Sequence, residues 1–180
     1  MTLSFRVNGA PLTLDLTHLI VAGWTGRDAD AIAHHIAELA ELGVPAPSDT
    51  PLYYRVSAPL LTDAPLIEAV GEASSGEVEP LIVEAEGKRY LGLASDHTDR
   101  ALEAHSVAMS KQVCAKPCAL ELWEWDEVAE RLEEIELESW IEEGGDWVPY
   151  QSGTIASIRP LTELIAGSRL SELAKDGPVA

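Results

Sequence analysis

Ser75-Gly76-Glu77-Val78-Glu79-Pro80 and, further on, Ser95-Asp96-His97-Thr98-Asp99-Arg100 are the two stretches that decide how this chain reads. Side chains alternate faces along a strand, so Glu77 and Glu79 are predicted to share one face of a sheet. The apolar run Tyr90-Leu91-Gly92-Leu93-Ala94 reads as a neighbouring strand, and Asp96 emerges at its end. Carboxylates side by side repel, and burying them is costly unless a cation sits between them. Three from adjacent strands form a hard oxygen site of the kind that takes Mg²⁺ or Mn²⁺. A solvated strand face has the same pattern, and Glu84 and Glu86 repeat the spacing, so spacing alone leaves both readings open.

Length and composition set the bounds. A chain of 180 residues, 46% apolar, is expected to form one domain with a substantial core. Twelve Lys and Arg against 31 Asp and Glu give a net charge of −19, which argues against a nucleic-acid or anionic-membrane surface. Much of that charge lies between Glu121 and Glu143 and reads as a solvated face. No apolar run approaches the ~20 residues of a membrane span, and the N-terminus lacks a signal pattern. The expectation is a soluble, cytoplasmic protein. Cys114 and Cys118 are the only cysteines, with His105 the only histidine close by, so reduced structural thiols are expected rather than a zinc site.

The remaining chain reads as short strands punctuated by helices. Leu3–Val7 and Leu12–Leu16 alternate around Asn8-Gly9, a hairpin signal. Leu19–Trp24 reads as a buried strand, followed by a helix with Thr25 as cap, Gly43 and Pro45 as stop, and Ile32, Ile36 and Leu39 as its apolar stripe. On that helix His35 and Glu38 are neighbours three positions apart. Strands are predicted at Leu52–Val56 and near 66–70, 76–84 and 89–95, with β-like structure from Cys118 to Trp125. Asp126 is predicted to cap a helix to about Glu134, and Ile135–Trp140 to turn at Gly144-Gly145 into a return strand near Trp147. Pro160 opens a closing helix through Leu173, and the tryptophans are taken as core or sheet-face residues. The fold class that follows is α+β, predominantly β, with about three helices.

In this order the motifs resemble the fumarylacetoacetate hydrolase superfamily, and within it a bacterial branch of unknown function. The matching segments are His35-Ile-Ala-Glu38, Pro51-Leu-Tyr-Tyr54-Arg55, Glu77-Val-Glu79, Asp96-His-Thr-Asp-Arg100, Ser110-Lys111-Gln112, and Tyr150-Gln151-Ser-Gly-Thr154 before Leu164-Ile165. The resemblance implies a mixed β-roll or sandwich in which Glu77, Glu79 and Asp96 hold Mg²⁺ or Mn²⁺. It implies a small 2-oxo or β-diketo acid as substrate, with C–C hydrolysis, decarboxylation or hydration through a metal-held enolate. It assigns His35 and Glu38 to water activation, and Lys111 and Arg100 to substrate oxyanions. Arg55 and Thr154 become further substrate contacts, and a homodimer is expected. An inactive binding or assembly module with the same fold is the alternative.

The chain also departs from that pattern. Glu103 stands where members often have a glutamine, and Gln112-Val113 replaces the usual Phe-Asp after the lysine. The superfamily's late Gly-Thr-Pro-x-Gly strands have no counterpart after Leu170, so a single domain over 1–180 without those strands is expected.

Overall fold

The computed structural model describes residues 1–41 and 43–180. Strands β1 (Thr2–Val7) and β2 (Ala10–Asp15) form the predicted hairpin. Asn8 and Gly9 both adopt positive φ, 50° and 79°, the turn geometry whose twist suits a two-residue hairpin. Strand β3 (Leu19–Gly23) leads into helix α1 (Ala29–Glu41), and β3 pairs antiparallel with β4 (Leu52–Val56). The cap of α1 is Asp28 rather than Thr25: its Oδ1 accepts from the amides of Asp30 at 2.9 Å and Ala31 at 3.1 Å. The Ile32, Ile36 and Leu39 stripe is half-buried, and α1 has no fully buried residue.

The strand predicted near 66–70 does not form. After β5 (Leu61–Thr62) the chain runs irregularly, with Leu66 and Val70 79% and 78% exposed, so no buried face drives pairing there. Strand β6 (Ser74–Ser75) precedes the central pair, β7 (Val78–Ala85) and β8 (Lys88–Ser95). Strand β9 (Thr98–Asp99) then enters two short helices, α2 (Arg100–Glu103) and α3 (Val107–Gln112). Asp99 and Ser106 cap them, accepting from Leu102 at 2.9 Å and Met109 at 3.3 Å. Strand β10 (Lys116–Pro117) runs parallel to β5, and β11 (Glu121–Glu124) joins β8 antiparallel and β1 parallel. The main sheet therefore has the order β2-β1-β11-β8-β7.

Helix α4 (Trp125–Val128) starts one residue before Asp126, which sits in its first turn rather than at its cap. A 3-10 segment, Ala129–Glu134, follows, then the hairpin β12 (Glu136–Glu143) and β13 (Asp146–Thr154). The closing helix is two helices, α5 (Leu161–Ser168) and α6 (Leu170–Leu173), separated by Arg169 at φ 59°. Gly167 and Ser168 are weak helix formers, and the left-handed residue after them ends the first segment. Six short helices, rather than about three, are thus present among the described residues. Trp123, Trp140 and Trp147 stand on strands as sheet-face rather than core residues, 48%, 50% and 71% exposed.

The β7–β8 pair divides two cores. Leu81, Val83, Ala85 and Tyr90 face a core with Phe5, Leu14, Leu16 and Leu122. Leu91 on the other face packs with Leu161, Leu164, Ile165 and Val179. Each buried Val, Leu, Ile or Phe side chain among them contributes about 1.5–3 kcal/mol. Gly92 is required at one close approach, since a Cβ there would lie 2.6 Å from Leu122 Cδ2. The segment 178–180 is knitted between β3 and β7. Val179 and Glu84 exchange both backbone hydrogen bonds at 3.0 Å, and Ala180 donates to His18 at 3.1 Å while accepting from Ile20 at 2.9 Å. Glu84, buried at that junction, is held by Arg89 at 2.6 Å and Ser171 at 2.9 Å.

Candidate functional site

Register places the predicted carboxylates together. Glu79 pairs with Ala94 across β7–β8, and the Asp96 amide donates to the Glu77 carbonyl at 2.8 Å, extending the ladder past both strand ends. With side chains alternating, Glu77, Glu79 and Asp96 share a face, and Ser95 and His97 take the opposite one. The Glu79 carboxyl is pushed up to about 8, first by burial and then by the neighbouring charges of Glu77 and Asp96.

Asp96 is 7% exposed and is gripped by two lysines. Lys111, in the last turn of α3 and 5% exposed, donates to Asp96 Oδ2 and, at 3.5 Å, to Thr98 Oγ1. Lys116 on β10, 2% exposed, places Nζ 3.2 Å from Asp96 Oδ1. It also donates to the carbonyl of His97 and, at 2.7 Å, to that of Lys111. Burial pulls the Lys116 ammonium down from its ordinary value, and Asp96 opposes that pull. Asp96 Oδ1 nevertheless has no hydrogen-bond partner.

Arg100, at the start of α2, reaches back to β6 and β7. Its guanidinium lies 2.9 Å from Glu77 and 3.1 Å from Glu103, and Nε donates to Ser75 Oγ at 2.7 Å. Burial acts against its charge, but Glu77 and Glu103 outweigh it and raise its pKa. Glu103 is therefore a partner of Arg100. Among the described residues no three His, Cys, Asp or Glu side chains gather closely enough to hold a metal ion as they stand. Glu77 is turned toward Arg100, and Asp96 toward the lysines.

The other predicted residues lie further out. His35 and Glu38 are 61% and 60% exposed on α1 and 3.7 Å apart, with His34 3.5 Å from the same carboxylate. A chain of contacts leads inward: the His35 ring is 5.9 Å from Trp24, whose Nε1 donates to the Tyr54 hydroxyl at 3.1 Å. The Tyr54 ring in turn lies 6.0 Å from Lys111 Nζ. Arg55 is exposed, and strand alternation turns it away from Tyr54. Thr154 ends β13 and, with Gln151 and Glu79, lines a cavity of about 330 Å³. Glu79 also lines a second cavity of about 140 Å³, together with Asp96, Lys116, Thr25, Tyr53 and Ser95.

The resemblance gave a role to Lys111 alone, whereas Lys111 and Lys116 both hold Asp96. It did not foresee Gln151 Oε1 accepting from the Val78 amide at 2.6 Å, which ties β13 to β7 between the two glutamates. On the opposite face Ser95 Oγ lies 3.0 Å from His97 Nδ1. Burial and then the Lys116 charge lower the His97 pKa. A Cβ on Gly76 would sit 2.4 Å from Ser95 Oγ, so only glycine leaves room for that pair. Both cysteines are free, and burial pushes the Cys118 thiol up to about 11, in keeping with structural thiols.

Two solved structures are similar to this one in fold. One is a candidate fumarylpyruvate hydrolase from Burkholderia cenocepacia, 16% identical, with a TM-score of 0.59, covering 91% of this chain and 74% of its own. Another is Cg1458, solved with an inhibitor, 15% identical, with a TM-score of 0.57 over 88% of this chain. The chain spans 65% of the length of Cg1458. The fold is thus the fumarylacetoacetate hydrolase type to which the ordered motifs pointed. More narrowly, residues 22–179 match the model for proteins of unknown function designated DUF2848, and the chain belongs to that family. No curated protein matches the sequence.

Proposed function

We propose that this chain is a divalent-metal-dependent enzyme acting on a small 2-oxo or β-diketo acid, by C–C hydrolysis, decarboxylation or hydration. The observation that carries the reading is the crowding around Glu79, whose carboxyl is raised to about 8 by burial, Glu77 and Asp96. A cation among those groups relieves the crowding, and Asp96 Oδ1 lacks a hydrogen-bond partner, its charged neighbour being Lys116 at 3.2 Å. The donor set, all carboxylate oxygen, suits Mg²⁺ or Mn²⁺.

In this reading Glu77, Glu79 and Asp96 hold the ion, which supplies Lewis-acid polarisation of a substrate carbonyl. Lys111 and Arg100 bring fixed positive charge to the substrate's oxygens, Lys111 as a point charge and Arg100 as a fork. Thr154 offers a hydroxyl from the rim of the neighbouring cavity, and Arg55 is the outermost of the proposed contacts. His35 and Glu38 are the proposed water-activating pair, linked toward Lys111 through Trp24 and Tyr54. The reading includes the β-roll arrangement, a cytoplasmic location supported by two free cysteines, and a homodimer supported by the exposed Trp140, Trp147 and Tyr150 on the β12–β13 hairpin. A mass by light scattering that stays monomeric at every concentration contradicts the dimer.

The test is a turnover screen of acylpyruvates, oxaloacetate and 2-oxo-enoic acids with Mg²⁺ or Mn²⁺. Silence across all three classes by folded, metal-loaded protein overturns the enzyme reading. It would favour the alternative, an inactive binding module, for which the exposure of His35 and Glu38 is the supporting observation.

A further inference from the structure

Lys116 has no assigned part in the reading above, yet it is the most buried charged side chain near the carboxylates. It is 2% exposed, lines the same cavity as Glu79 and Asp96, and approaches the one Asp96 oxygen that Lys111 leaves open. Asp96 thus faces two ammonium groups, and Arg100 adds a third cation at Glu77. Like charges repel strongly where water is excluded, so a dication entering here meets fixed positive charge as well as carboxylate.

We propose that Lys116 is the resident counter-cation of Asp96, and that a divalent ion entering among Glu77, Glu79 and Asp96 must displace its ammonium from Oδ1. The inference rests on the metal-dependent reading. Two features make the exchange practicable. The Lys116 contact with Oδ1, at 3.2 Å, is the longer of the two lysine contacts with Asp96, so it is the easier one to break. The carbonyls of His97 and Lys111 remain as acceptors, so the displaced ammonium keeps hydrogen-bonded partners inside the protein. Lys116 therefore acts as an internal competitor that sets the affinity for the ion.

Calorimetric titration of the full chain with MnCl₂ at one fixed pH tests this. Lys116→Met, close in volume and uncharged, is expected to bind Mn²⁺ at least about tenfold tighter than wild type. Lys116→Arg, which keeps the charge, is expected to show no such gain. Lys116→Gln carries the same test should the methionine variant fail to fold, because its amide can still donate to both carbonyls. Glu79→Gln separates the two levels of the account. Equal affinity in wild type and the uncharged variants, with binding lost in Glu79→Gln, overturns the competitor role and leaves the metal site standing. An absence of binding in wild type and all the Lys116 variants overturns both. Binding gained only when the charge is removed is the strongest form of the expected result.

Discussion

Replacing Glu79 with Gln removes one ionisable group from the most crowded point of the site and leaves its shape nearly unchanged. In the folded, metal-free protein Glu79 keeps its proton until about pH 8, against an ordinary value of 4.5. The unfolded chain releases that proton near its ordinary value. Between those limits the native state binds more protons than the unfolded one, so Glu79 makes stability fall as pH rises. Its contribution is complete below about pH 4.5 and lost by about pH 8. At 1.36 kcal/mol per pH unit the ceiling is about 5 kcal/mol. Residual solvent access to the side chain brings the working range to about 2–5 kcal/mol. Urea unfolding in EDTA, at steps from pH 4.5 to 8.5, compares wild type with Glu79→Gln so that other titrating groups cancel. The variant should gain on wild type steadily across that window. Curves that stay parallel within about 0.5 kcal/mol would refute the electrostatic account.

Asp96→Ala strands two buried ammonium groups and should cost about 3–5 kcal/mol by chemical denaturation, whether or not chelator is present. Gly76→Ala forces Ser95 and His97 apart and should cost about 1–3 kcal/mol, read as a lowered urea midpoint. Arg89→Ala leaves Glu84 buried without its cation where β7 meets the segment 178–180, and should lower the melting temperature more than loss of the exposed Arg131–Glu134 pair. Mn²⁺ at a hundredfold excess over its Kd should stabilise wild type by about 2.7 kcal/mol, a shift absent in Glu77→Ala.

Much of the fold was legible because its signals are local. Asn8-Gly9 fixed one hairpin and Gly144-Gly145 another, and period-two alternation placed the acidic pair on one face with Asp96 beside it. The region from 66 to 70 was misread because apolar residues alone do not supply a pairing partner. The single closing helix was misread because a left-handed arginine leaves no mark in composition. The nearness of Glu77, Glu79, Asp96 and Lys111 to one another was legible from motif order. Lys116 was not, since its role depends on β10 lying parallel to β5, a contact between segments far apart in sequence. Carboxylate removal relieves repulsion in the metal-free protein at Glu79 and not at Asp96, whose charge is balanced by buried lysines.

In the proposed function Glu77, Glu79 and Asp96 hold a divalent ion. Anomalous scattering from crystals of the full chain grown with Mn²⁺ tests it most directly. The account predicts one strong peak with oxygens of all three carboxylates at about 2.0–2.3 Å, and with Lys116 Nζ moved away from Asp96 Oδ1. Crystals with Mn²⁺ at saturating concentration that show no peak there, with both lysines still on Asp96, would contradict it.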